Sequence, residues 1–270
     1  MTMQYRQYAP ADSLRNLVRY YWSLDGRQSS ISRLSILSFA DRFPRLVFQD
    51  IDCFEPIIND ETGEEMPLCY LKGVRTRPTE VFMNGAFSHF GVSFYPHALT
   101  TFFGMGADEL TNLMPDINMV YRCNLAERLR NRTHLDRVAV LDSFLLEKMT
   151  KVSLDFTVQS IIHKKGGVGG MEMLASSLRI SERQLQRRFK KQVGVPLKRY
   201  ERISRFELAL NRLATVNYSE LTSIAFELGY TDQSHFIKEF QEFAGMAPYN
   251  FVRNKSVGGE SSSFLYIPIE

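Results

Sequence analysis

Arg183, Gln186, Arg187, Lys190 and Lys191 stand within one short segment, ISERQLQRRFKKQVG, residues 180–194. At about 100° per residue they share one side of a helix, while Leu185 and Phe189, four apart, mark the other. Ser181 is placed to cap that helix and Gln184, three residues on, to close a capping box. Gly194 stops it. Guanidinium and amide groups in such a row suit hydrogen bonding to base edges. Arginine grips guanine O6 and N7 in two bonds, and glutamine reads adenine. The competing reading is a solvated helix face, the ordinary fate of a charge run.

Other residue types that could carry chemistry lead elsewhere. The run GGVGG, Gly166–Gly170, has no strand before it and no Gly-Lys-Ser/Thr after it, so it reads as a connector and not as a phosphate cradle. His89 and His97 lie eight apart and no His-x-His occurs, which argues against a metal centre. His235 has no nucleophile or carboxylate placed for catalysis and reads as a capping or phosphate-contacting residue. Cys53, Cys69 and Cys123 form no CxxC and read as free thiols of a reducing cytoplasm. No catalytic residue, no metal and no cofactor are expected. Neither a signal peptide nor an 18-residue apolar span is present, so no membrane partner is expected.

Charge supports a polyanion partner for one part of the chain only. Residues 163–255 hold 16 Lys+Arg against 9 Asp+Glu, a balance of +7, whereas the remainder holds 17 against 21, a balance of −4.

The basic segment has a second copy. Upstream of it, MLASSLRIS supplies Leu174, Ala175 and Leu178, a short apolar helix before a tight turn. In SIAFELGYTDQSHFIKEFQEFAG the same pattern returns: Ile224, Ala225 and Leu228, then Asp232 for Ser181, Phe236 and Phe240 for Leu185 and Phe189, and Gly245 for Gly194. The second turn is one residue longer and contains Gly229. Each copy reads as a helix-turn-helix. Between them PLKRYERISRFELALNRLAT carries a stripe of Leu197, Tyr200, Ile203, Phe206 or Glu207, Leu210 and Leu213 behind Pro196. A helix of about 18 residues is about 27 Å long, of the order needed to hold two recognition helices about one DNA turn, 34 Å, apart.

These residues together, LASSLRISERQLQRRFKKQVG, YERISRFELALNRL and SIAFELGYTDQSHFIKEFQEFAGMAPYNFV, resemble the AraC/XylS family of bacterial transcription regulators over about 100 residues, 153–253. The resemblance implies a seven-helix DNA domain behind a ligand-binding or dimerising domain. It implies base contacts from Arg183, Gln186 and Arg187 in the first recognition helix and from Gln233, Ser234 and Lys238 in the second. It also implies RNA polymerase as a partner, and activation as the commoner mode of control. Ile237 stands where the first helix has Gln186, and Glu239 and Glu242 put negative charge nearby, so the second helix is expected to read bases weakly. Ser181, Gln184, Lys190, Lys191, Lys198, Arg199 and His235 are expected at phosphates.

The elements that must position these residues form an α+β chain. Residues 1–150 read as a β-rich sensing or dimerisation domain, a cupin-like barrel plus helices, with RLVFQD, YLKGV, EVFMNGAF and HFGVSFY as strands. An early helix over Ala11–Tyr21 is expected. HLDRVAVLDSFLLEKM gives a stripe of Leu135, Val138, Leu141, Leu145 and Met149, which either covers the sheet or makes a dimer contact. Residues 151–255 form the double helix-turn-helix domain, with helices Phe156–His163 and Met171–Leu178 ahead of the first recognition helix. Residues 256–270 join a flexible linker, SVGGESSS, to an apolar strand-like end, FLYIPIE, which either docks on the first domain or on a partner subunit, adding a strand or plugging a groove, or is a disordered end. Arg42, Arg45, Arg75 and Arg77 read as strand-edge charge or as an anion site. Double-stranded DNA is the expected partner; a small-molecule effector and a second copy of the chain remain open. A protein-interaction module in place of a sensor, or a cupin-type enzyme fused to a DNA domain, are the rival readings of the first half.

Overall fold

The computed structural model describes residues 3–26, 33–51, 55–59, 61–84, 86–149, 156–163, 175–215, 221–253 and 264–269. Eight strands come first: β1 (Met3–Tyr8), β2 (Val18–Gly26), β3 (Arg33–Ser38), β4 (Arg45–Gln49), β5 (Ile58–Asn59), β6 (Cys69–Lys72), β7 (Thr79–Asn84) and β8 (Phe87–Phe94). Four helices follow: α1 (Ala98–Phe103), α2 (Ile117–Val120), α3 (Leu125–Leu129) and α4 (His134–Met149). Then come α5 (Phe156–His163), a turn of helix at 175–177, α6 (Glu182–Val193), α7 (Leu197–Thr215), α8 (Leu221–Glu227), α9 (Gln233–Ala244), α10 (Pro248–Arg253) and a last strand, β9 (Phe264–Ile269). The seven helical pieces from α5 onward form the helical half. The GGVGG run and residues 171–174 of the expected Met171–Leu178 helix lie outside the described residues.

The strands form two antiparallel sheets, β1-β2-β8-β4-β6 and β5-β7-β3-β9. The β-rich half expected as a cupin-like barrel is built of these two sheets, which among the described residues do not close on each other. Among the described residues no strand of one pairs with a strand of the other. Trp22, Leu24, Val47 and Tyr70 of the first sheet meet Leu34, Ile36 and Met83 of the second. The outer face of the first sheet carries Tyr21, Phe48, Phe90, Val92 and Phe94 under Leu99, Phe102, Leu141, Phe144 and Leu145. With both faces covered, β2 has few polar alternations to mark it as a strand.

The early helix is confined to a 3-10 turn, Asp12–Leu14, and the chain is extended from Val18. Leu14, Leu17, Val18 and Tyr21 are all buried. Their spacing of three and four imitates a helical stripe, but a turn followed by a strand covered on both faces buries the same four. Helix α4 covers the sheet with Leu141 and Leu145, whereas Leu135 of the expected stripe is 70% exposed. The helix is fastened at its start by polar groups: fully buried Arg137 donates to the Leu129 carbonyl at 2.9 Å and pairs with Asp50, and His134 Nε2 lies 3.0 Å from Asp25.

The two halves share a core. Phe39, Ala40 and Val74 belong to the same buried cluster as Phe189, Ile203, Phe206, Phe240 and Phe251 of the helical half. The Phe39 ring meets Phe206 and Phe251 at centroid distances of 6.3 and 5.9 Å, and the Ala40 N–H donates to the Phe243 carbonyl at 2.9 Å.

Candidate nucleic-acid interface

Helix α6 is built as its sequence dictates. Ser181 Oγ accepts from the Gln184 N–H at 3.2 Å, Gln184 Oε1 accepts from the Ser181 N–H at 2.8 Å, and Gly194 ends the helix at φ +101°. Leu185, Phe189 and Val193 are buried beneath it. Arg183, Gln186, Arg187, Lys190 and Lys191 are exposed, and Ser181, Arg183, Gln184, Gln186, Arg187 and Lys190 line one open groove with Pro196. The cap spends the hydrogen bonds of Ser181 and Gln184 on each other.

Helix α9 repeats the design 51 residues later. Asp232 Oδ1 accepts from the His235 N–H at 2.8 Å and Gly245 ends the helix at φ +74°. Ser234, His235 and Lys238 are exposed, while Gln233 is half-buried and accepts from Thr222 Oγ1 at 3.1 Å. Ile237 packs against the core, so it presents no reading group.

The turns match as closely as the helices. Gly229 has φ +74°, and Tyr230 N–H donates to the Ala225 carbonyl at 2.9 Å. Fifty residues earlier Arg179 has φ +54°, and Ile180 N–H donates to the Ala175 carbonyl at 3.1 Å. An arginine thus adopts the left-handed conformation that the second copy gives to glycine. Only the backbone alignment reveals this equivalence.

Between the two motifs α7 runs 19 residues, about 28 Å at 1.5 Å per residue. It buries Leu197, Tyr200, Ile203, Phe206, Leu210 and Leu213.

The fold gives several charged residues partners. Arg199 pairs with Glu242 and donates to the Thr76 carbonyl at 2.8 Å. Lys198 beside it is exposed. Glu239 does not face outward with the reading groups; it is 3% exposed and accepts from Arg202, Arg205 and Tyr230. Its carboxyl is held below the ordinary range by these donors, against burial, which pushes the other way. Glu242 is likewise held low by Arg199 and Arg202, again against burial. The four arginines of the β-rich half have separate polar partners. Arg42 pairs with Glu207 and Arg45 with Asp41, Arg75 is buried against the Asn112 carbonyl and Thr79, and exposed Arg77 lies 3.7 Å from Glu61. Among the described residues no group of three His, Cys, Asp or Glu is placed to hold a metal, and no helix is long and apolar enough to cross a membrane.

Two family models match the sequence. One, described as a helix-turn-helix domain, covers residues 174–254; the other, a domain of unknown function (DUF6597), covers residues 6–115. No curated protein matches. Among solved structures, ToxT from Vibrio cholerae O395 is 10% identical, with 93% of this chain and 96% of that one covered and a TM-score of 0.37. Unsaturated fatty acid bound ToxT from Vibrio cholerae strain SCE256 is 10% identical, covering 93% and 94%, at a TM-score of 0.38. The transcriptional regulator CdpR from Pseudomonas aeruginosa is 18% identical, covering 63% and 46%, at a TM-score of 0.30. These low scores carry no residue-level argument. The matched domain falls on the duplicated, capped motifs: the chain carries an AraC-type helix-turn-helix domain over residues 174–254.

Proposed function

We propose that the chain regulates transcription by placing α6 and α9 in successive major-groove segments of duplex DNA. Arg183, Gln186 and Arg187 read base edges, and Gln233, Ser234 and Lys238 make the weaker contacts of the second motif. Lys190, Lys191 and Lys198 lie at phosphates and supply most of the affinity and its salt dependence. The observation that carries this reading is the pair of capped helices at a constant offset, the first with an unbroken exposed row of arginine and glutamine. Selection of bound sequences from a random duplex library, with the intact protein and with Arg187→Ala, tests it. A discrete motif that relaxes at one base pair in the variant supports it; binding that depends on salt alone and ignores sequence refutes it. Activation through RNA polymerase is the mode that the family resemblance favours, and a reporter assay on the selected sites tests that.

The β-rich half is the sensor in this proposal, and one observation favours an anionic effector. Arg45 and Lys72 face each other across the β4–β6 ladder on the side of the inter-sheet core. Arg75 is close enough to act electrostatically on Lys72, and Asp41 is the one carboxylate among them. Lys72 makes no ion pair among the described residues, and burial with its cationic neighbours brings its ammonium down to about 7. Trp22 Nε1, also on the inter-sheet side, is buried without a hydrogen-bond partner. A carboxylate or phosphate would neutralise the Lys72 ammonium. Benzoate and inorganic phosphate are the first probes. A rise in melting temperature that Lys72→Met abolishes supports an anionic effector, and no rise with any small anion favours the protein-interaction reading of this half.

A further inference from the structure

Three arginines on α7 and two glutamates on α9 form a ladder. Arg199, Arg202 and Arg205 stand three apart, as do Glu239 and Glu242, so each set occupies one helix face. Arg202 Nε donates to Glu239 Oε2 at 2.7 Å, and Arg205 donates through its NH2 group to Glu239 Oε1 at 2.9 Å. Tyr230, from the turn of the second motif, donates its hydroxyl to Glu239 Oε1 at 2.9 Å. Arg199 and Arg202 both donate to Glu242. The guanidinium planes are also held by rings: Arg205 lies 4.1 Å from the centroid of Tyr230, and Arg199 and Arg202 lie 4.7 and 5.1 Å from that of Phe243.

Such pairs do little for stability. Exposed ones contribute almost nothing, and buried ones roughly break even against apolar replacements. What forked arginine–carboxylate bonds do supply is orientation. The first motif differs in sequence: at the positions of Glu239 and Glu242, 51 residues earlier, α6 carries Arg188 and Lys191, which cannot accept from the α7 arginines. Helix α6 is seated instead on the β-rich half, where Thr111 Oγ1 donates to the Gly194 carbonyl at 2.8 Å. The angle between α9 and α7 therefore has a dedicated polar clamp, and among the described residues no arginine–glutamate ladder of this kind joins α6 to α7.

We propose that Arg202, Arg205 and Glu239 are positioning residues that fix α9 on α7 and so set the spacing between the two DNA segments the protein accepts. The proposal rests on the DNA-binding reading above. These residues touch no base; they decide which separation of two base sets can be read at once. Loss of the clamp leaves each motif able to bind its own segment while the pair loses its strict register.

The experiment is competition binding of the full chain to duplexes in which the two selected segments are moved apart or together by one or two base pairs. The intact protein should prefer one spacing by about tenfold, equivalent to about 1.4 kcal/mol. Glu239→Gln keeps the shape but loses the charge, and Arg205→Lys keeps the charge but loses the fork. Each should flatten the preference to about threefold or less while binding to the α6 segment alone stays unchanged. Arg202→Lys serves as a third variant should Glu239→Gln fail to fold, which its melting curve shows. An undiminished spacing preference in folded variants overturns the proposal, as does an equal loss at the isolated α6 segment, the mark of general damage. Failure of the intact protein to select any motif would instead overturn the DNA-binding reading.

Discussion

Arg42, in the loop after β3, donates through Nε to Glu207 of α7 at 2.8 Å, and its backbone N–H bonds the other carboxylate oxygen at 3.1 Å. The same guanidinium donates to Ser204 Oγ at 2.8 Å and to the Tyr200 hydroxyl at 3.2 Å. One side chain of the β-rich half thus holds three consecutive turns of the helix that joins the two motifs. Arg42→Ala should cost about 3 kcal/mol, the low end for breaking a buried pair from one side, and chemical denaturation would measure it. The pair also gives a pH signature. Burial pushes the Glu207 carboxyl up from 4.5 to about 7, with Arg42 pulling against it. A raised carboxyl binds more protons folded than unfolded, so its contribution is full below about 4.5 and lost as pH rises through about 7. Calorimetry between these limits should show wild type gaining on Glu207→Gln as pH falls; a constant difference would remove Glu207 from the pH response.

Phe39 completes a core that is mostly not its own. It is fully buried among Phe206, Phe251 and their neighbours, one residue before the Ala40–Phe243 backbone bond. Phe39→Ala should cost about 3–5 kcal/mol through the cavity it leaves. The loss should fall on the helical half: operator binding should fail at a temperature where β-strand circular dichroism is still native. A variant in which both halves melt as in wild type would mean that the cluster collapses without penalty.

The helical half was largely legible in the sequence because its rules are local. A cap, two apolar residues four apart and a terminal glycine specify α6 and α9 within a dozen residues each. The β-rich half was less so. Leu14, Leu17 and Tyr21 imitate a helix stripe, and β2, covered on both faces, lacks the alternation that identifies a strand. The charged contacts between halves could not be read at all. Arg42 and Glu207 are 165 residues apart, and Arg199 and Glu239 looked like surface charge until the fold brought partners to them.

Arg179 offers a test of the duplicated turn. At φ +54° a side chain with a Cβ costs about 1–2 kcal/mol that glycine does not. Gly229 already occupies the equivalent position in the second copy. Arg179→Gly should therefore stabilise the protein by a few tenths to about 1 kcal/mol, the larger chain entropy of glycine in the unfolded state offsetting part of the relief. Gly229→Ala should do the reverse, by about 1 kcal/mol, although space around its Cβ is open. Thermal melts of the two single variants suffice. Opposite signs support equivalent turns, and two losses would mean that the Arg179 side chain contributes more than its backbone strain.

The last strand makes the most exposed prediction. β9 pairs antiparallel with β3 over six residues, Phe264 opposite Ser38 and Ile269 opposite Arg33. It forms the outer edge of the second sheet, and β3 would become that edge without it. An unprotected edge strand invites pairing with other chains. The loss would also reach the helical half, because β3 leads directly into Phe39 and Ala40. Removing residues 264–270 should speed amide exchange over Leu34–Ser38, lower the melting temperature and promote concentration-dependent association. Adding the excised segment as a free peptide should reverse the exchange effect, since the ladder needs only an extended chain in register. Unchanged exchange at those amides would mean that β3 is protected by β7 alone and that the tail is dispensable to the fold.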